Sequence, residues 1–142
     1  MELEKKIQTT PEEPHYAVKV DDAWGYEMLG LDPVGNHDTE YSGVFGTPIT
    51  NFTVEASGIK KARVRNKRGK WLPYGHNFGM NSKEGLGDET PITGIEIVGS
   101  GFIFSVHAKG GAWLPIVNTS DVEGEVLSIV PSQIDAVWID KA

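Results

Sequence analysis

An all-β fold made from three copies of one unit, arranged as a β-trefoil, is what this 142-residue sequence predicts. Three observations predict it. The first is a spacing: Val18, Val64 and Val106 stand 46 and 42 residues apart, Trp24, Trp71 and Trp113 stand 47 and 42 apart, and Ile49, Ile92 and Ile134 stand 43 and 42 apart. Agreement at three places along a unit of about 42 residues is the mark of a repeat architecture, whose usual periods are about 20–50 residues. The second is period-two alternation with no sustained 3.6-residue apolar period. The third is punctuation by 17 glycines and eight prolines. Four short strands per copy make twelve, and no copy can bury its apolar face alone, so the copies are expected to close around a shared axis. A three-sheet, prism-like β assembly is the alternative architecture.

Residues 1–15, MELEKKIQTTPEEPH, are charged, carry Pro11 and Pro14 and read as a linker or tail. Residues 16–142 read as a single β domain with repeats at 16–55, 62–98 and 104–140. Each first strand alternates around its valine, in Ala17-Val18-Lys19-Val20, Arg63-Val64-Arg65-Asn66 and Ser105-Val106-His107-Ala108. Lys19, Arg65 and His107 share the outward register. After a glycine- or aspartate-bearing turn, the second strand holds the tryptophan, in Trp24-Gly25-Tyr26, Trp71-Leu72-Pro73 and Trp113-Leu114-Pro115. A polar loop leads to a short third segment at 41–44, 85–87 and 124–127. The fourth strand, at 49–54, 92–97 and 134–139, is the most apolar. Phe52/Val54, Ile95/Ile97 and Val137/Ile139 point inward by period two, which leaves Thr53, Glu96 and Trp138 on a face expected to be wet.

Composition restricts function. A net charge of −7 argues against a general nucleic-acid binder, which needs a basic face. The one basic cluster, Lys60, Lys61, Arg63, Arg65, Lys67, Arg68 and Lys70, reads as a solvated hairpin. No apolar run approaches the roughly 18 residues of a membrane helix, and the N-terminus lacks the apolar centre of a signal peptide. With no cysteine, disulfides and thiolate zinc sites are excluded. No nucleophile elbow, phosphate-binding loop or His-Glu-x-x-His motif is present. A zinc site from His37, Asp38 and His76 is imaginable, but nothing in the spacing demands it. Neither a metal nor a cofactor is expected, and no catalytic residues.

The phrases YSGVFGTPITNFTV, ARVRNKRGKWLPYG, FSVHAKGGAWLPIV and IDAVWI resemble the cell-wall-binding repeats in the C-terminal regions of phage endolysins and clostridial-type peptidoglycan hydrolases. There, segments similar to YRVH-KGG-WLP-V alternate with segments similar to GYAG---PIDAI-I. The resemblance covers residues 16–140, is closest in repeat three, and weakest in repeat one, which lacks Leu-Pro after Trp24. It implies a noncatalytic module binding peptidoglycan or a secondary wall polymer, acting outside the producing cell, with any catalytic domain preceding it or on a partner chain. The alternative is a protein-binding module, an inhibitor or a phage structural subunit.

Sugar sites pair aromatic faces with planar polar groups. The loops after the tryptophans supply Asn36, Asp38 and Tyr41 in repeat one, Tyr74, His76, Asn77 and Asn81 beside Trp71 in repeat two, and Asn118 and Asp121 in repeat three. Asn and Asp are also ordinary turn formers, and tryptophans at one place in every repeat also suit a core layer. Repeat two looks best equipped, and repeat three, with Ile116 and Val117, looks blind. Trp138, expected to point outward, is the remaining candidate contact.

Overall fold

The computed structural model describes residues 13–26, 28–30, 41–75 and 85–142. Among them the chain forms eleven strands: β1 (His15–Val20), β2 (Ala23–Trp24), β3 (Met28–Leu29), β4 (Ser42–Gly43), β5 (Asn51–Glu55), β6 (Lys61–Arg65), β7 (Gly94–Val98), β8 (Phe102–Ala108), β9 (Val117–Asn118), β10 (Leu127–Ile129) and β11 (Ile134–Lys141). The protein is all-β. Its strands form three antiparallel sheets, and none closes on itself.

The same pairing recurs in every repeat. The first strand pairs with the fourth, β1 with β5, β6 with β7 and β8 with β11. Its end pairs with the tryptophan: Lys19 with Trp24, Arg65 with Trp71, His107 with Trp113. Its start pairs with the chain returning after the tryptophan: Tyr16 with Met28, Ala62 with Gly75, Phe104 with Val117. In repeat one the hairpin turn is Asp21-Asp22, with φ of 52° and 64°. Two successive positive φ values give the twist that a two-residue connection needs, and aspartate tolerates them.

The third segments tie the repeats to one another. Ser42 and Gly43 of repeat one add to β11 of repeat three, Leu86 of repeat two bridges Phe52 of repeat one, and β10 of repeat three adds to β7 of repeat two. The exchange is therefore cyclic. Glycine makes the approach possible. A Cβ on Gly43 would sit 2.2 Å from the Asp135 carbonyl oxygen, and one on Gly87 2.4 Å from that of Thr50. Repeat three carries Ile129 in that role, and there the facing residue is Gly94.

Three isoleucines close the cycle at its centre. The Ile49 amide donates to Ile134, Ile92 to Ile49, and Ile134 to Ile92, each at 2.9 Å. All three are buried, in one core with Val18, Val64, Val106, Phe52, Ile95, Ile97, Val137 and Ile139.

Several expectations need correction. Trp138 is 1% exposed, and Thr53 and Glu96, its counterparts, are also buried. The second face of the fourth strands is not wet. In repeat two the chain from repeat three crosses it: Gly99 donates to the Ser120 carbonyl, Ile97 to that of Val126, and the Gly124 amide to the Glu96 carboxylate. Trp138 stands opposite Ser105, a small buried residue that leaves space for the indole. The tryptophan strands of repeats two and three reduce to single bridges at Trp71 and Trp113, because the prolines two residues on lack the N–H that would continue a ladder. The third segment of repeat three is Leu127–Ile129 rather than 124–127. The folded chain also starts earlier than Tyr16: His15 belongs to β1, and the Gly30 amide donates to the Pro14 carbonyl at 2.9 Å.

Candidate aromatic surface

Two aromatic assemblies grow from the tryptophan positions, and their neighbours give them different chemistry. In repeat two, Arg63 on β6 lies over the rings of both Trp71 and Tyr74, at 4.7 and 4.5 Å from their centroids. Lys61, two residues back on the same face, lies 4.3 Å over Tyr74 and pairs with Glu123. The guanidinium Nε donates to Glu96 Oε1 at 2.6 Å, the Tyr74 hydroxyl donates to the same oxygen at 2.8 Å, and the Gly124 amide donates to Oε2. Burial pushes the Glu96 carboxyl up, but the Gly124 amide, the Tyr74 hydroxyl and Arg63 together outweigh it and hold the group below its ordinary range. The Tyr74 phenol is pushed up to about 12, chiefly by burial and then by the hydrogen bond and negative charge of Glu96. Cations therefore cover a face of each ring; the buried ionised Glu96 holds Arg63 there, and the exposed Glu123 holds Lys61. The assembly fastens the repeat-three loop onto β7.

The second assembly lies where repeats one and three meet. Tyr41 stacks on Phe45, with centroids 4.8 Å apart and planes 8° apart, and Phe45 stacks on His107 at 4.1 Å and 16°. Trp113 stands edge-on to all three, at 5.8, 6.2 and 5.2 Å. Asp135 orients the stack from below. It lies at a bulge where β11 slips against β8, and such an extra residue re-aims its side chain. One carboxylate oxygen meets His107 Nδ1 at 2.6 Å, and the other accepts the Gly46 amide at 2.8 Å. Asp135 is fully buried, whereas Phe45 remains 48% exposed.

Beside this stack runs an open groove of about 400 Å³, walled on one side by Val18, Val20, Trp24, Tyr26 and Met28 and on the other by Tyr41, Ser42, Gly43 and Val44. The Ser42 hydroxyl accepts the Val18 amide at 3.1 Å and holds the two walls together. Trp24 is half-buried, its ring edge against Gly85, where a Cβ would come within 2.7 Å of it. Tyr26 is 93% exposed, and Val44 is exposed beside it. Tyr41 belongs to both groove and stack, so Tyr26, Trp24, Tyr41, Phe45 and Trp113 form a run of aromatic rings along one side of the molecule.

Of the residues expected to bind, Tyr41 lines this groove. Trp71 and Tyr74 sit instead in the Arg63 assembly. Asn118 is exposed on β9 opposite Ile103, and Asp121 is exposed and paired with Lys60 at 3.3 Å, so neither lines the groove. Trp138 is buried and offers no surface. Asn36, Asp38, His76, Asn77 and Asn81, with His37, lie outside the described residues. Tyr26, Phe45 and His107 were not singled out as binders. A signal for Phe45 was present: seven steps separate Ser42 from Ile49, whereas six separate Leu86 from Ile92 and Ser128 from Ile134, and the extra residue falls in the Val44-Phe45-Gly46 stretch. Comparison of the chain with protein-family models, curated proteins and solved structures gives no match.

Proposed function

We propose that the chain is a noncatalytic module that binds a bacterial cell-wall glycan and so carries a lytic enzyme, on a preceding domain or a partner chain, to its substrate. The observation that carries this reading is the groove of Trp24, Tyr26, Tyr41 and Val44. A sugar ring has apolar CH faces that pack on aromatic rings, and its hydroxyls need only peripheral polar partners. A shallow, open aromatic groove suits a long chain bound at many weak points rather than a small molecule to be enclosed. The wall-binding repeats that the sequence resembles imply the same class of ligand. Of the two architectures expected, three separate sheets linked by cyclic exchange favour the prism-like assembly over the trefoil.

The exposed Tyr26, Val44, Phe45 and Ile116 also favour a protein partner as a second reading, with these residues taking the place of the buried Trp138. One experiment separates the two. Labelled protein is sedimented with purified Gram-positive walls, with soluble wall glycan as competitor, and compared with Tyr26→Ala. One lost stacking contact is about 1 kcal/mol, roughly fivefold in Kd. Glycan-competed sedimentation weakened by this change supports the wall reading. Absence of sedimentation across walls from a panel of species overturns it in favour of the protein partner.

A further inference from the structure

Each repeat places the residue paired with its tryptophan beside the third segment of another repeat, and the three junctions have diverged. At the first, Lys19 meets Glu89, with Nζ 3.1 and 3.2 Å from the two carboxylate oxygens. At the third, His107 meets Phe45 and Asp135. At the second, Arg65 occupies the place of Lys19, and Pro131 stands three residues before its isoleucine (Ile134), as Glu89 does before Ile92. The acid that neutralises the first junction is absent from the second. A groove of about 480 Å³ opens there, lined by Arg65, Lys67, Arg68, Gly69 and Thr93 and by an apolar side of Ile129, Val130 and Pro131.

Its cations have no carboxylate partner among the described residues, and the backbone hairpin that carries them is braced. Lys60, Lys61 and Arg63 of the basic cluster each have a carboxylate partner. Arg65, Lys67, Arg68 and Lys70 have none among the described residues. The hairpin that carries them is rigid: Asn66 Oδ1 accepts the amides of Arg68 and Lys70 at 2.9 and 3.0 Å, and Asn66 Nδ2 donates to Asp88 at 3.0 Å. Arg65 Nε donates to the Gly69 carbonyl at 3.2 Å, and its Nη hydrogens have no acceptor among the described residues. The fit depends on two glycines. A Cβ on Gly69, where φ is +80°, would stand 3.0 Å from Arg65 Nη2, and one on Gly94 would stand 3.1 Å from Arg65 Cβ and 3.3 Å from the Trp71 ring edge.

We propose that this groove binds the phosphodiester groups of an anionic wall polymer, with Arg65, Lys67 and Arg68 on the phosphate and Ile129, Val130 and Pro131 against the carbon segment joining one phosphate to the next. A guanidinium fork matches phosphate oxygens. The apolar side and the short reach of the basic patch, on a chain of net charge −7, favour a polyol or sugar phosphate over nucleic acid. The inference rests on the wall-binding reading and names a second class of ligand for it, separate from the neutral glycan at the aromatic groove.

The test is a titration of the full chain with fluorescent polyglycerol phosphate at low salt, repeated with Lys67→Ser/Arg68→Ser. These two side chains are exposed and make no hydrogen bond among the described residues, so the variant should keep its fold, as circular dichroism would verify. The expected result is at least tenfold weaker binding of the phosphate polymer by the variant, loss of wild-type binding at high salt, and unchanged sedimentation with walls stripped of phosphate polymers. Equal affinity of wild type and variant overturns the proposal. So does equal competition by inorganic phosphate per phosphorus, or tighter binding of duplex DNA. Binding of stripped walls without any binding of the polymer refutes this inference and leaves the wall reading standing, whereas failure to bind either removes both.

Discussion

The Ile49 amide donates to the carbonyl of Ile134, 85 positions further along the chain, at 2.9 Å, and this bond closes the ring that Ile92 completes. The first repeat is thereby joined to the last. With the exchange of third segments, it makes each repeat part of its neighbour's structure.

The three isoleucines should therefore be equivalent in stability. Ile49→Ala, Ile92→Ala and Ile134→Ala should each cost about 2–5 kcal/mol, because each leaves a cavity in a packed core. Urea unfolding followed by circular dichroism should show one transition in every case. A separate transition for any one repeat would contradict the cyclic exchange.

Trp138→Ala should cost about 3–5 kcal/mol, the loss expected for a fully buried indole. Tyr26→Ala, at 93% exposure, should change stability by less than about 0.5 kcal/mol. Thermal unfolding of the two variants is a direct comparison, and an unchanged midpoint for Trp138→Ala would return that residue to the surface.

Glu96 should link stability to acid. Its folded pKa lies below the ordinary value of 4.5, so its contribution is fully present above that pH and is lost as pH falls through the folded value. Glu96→Ala should cost roughly 3 kcal/mol at neutral pH, the lower end for a broken buried pair because Arg63 is partly exposed. Glu96→Gln should flatten the stability profile below about pH 5. A wild-type slope retained in that variant would rule Glu96 out as its source.

Tyr74 should show the opposite dependence. With its phenol raised from 10.0 to about 12, its contribution is complete below pH 10 and is lost as pH rises through the folded value. Ultraviolet titration should find a phenol ionising near 12 that is absent from Tyr74→Phe. If no late phenol is seen, the hydroxyl does not donate to Glu96.

The repeat was legible because a symmetric core imposes its spacing on the chain. Each of Val18, Val64 and Val106, and each isoleucine of the ring, occupies an equivalent buried place, so residue type returned at nearly fixed intervals. The inward faces of the fourth strands followed from period two for the same reason. Tyr41 was legible as a surface aromatic, although its partner Phe45 was hidden in an extra residue of one copy.

What the sequence determined by itself was thus the unit, its register and the all-β class, since these depend on alternation and spacing along the chain. Tertiary structure decided the rest. Trp138, Thr53 and Glu96 are buried because the second face of their strands is covered rather than solvated, in repeat two by chain from repeat three. Trp71 and Tyr74 became fastenings because Arg63 and Glu96 converge on them. Arg65 has no carboxylate partner among the described residues, because a proline of repeat three, rather than a glutamate, came to stand beside it. Periodicity specifies which way a side chain points, but only the arrangement of distant segments specifies what it meets there.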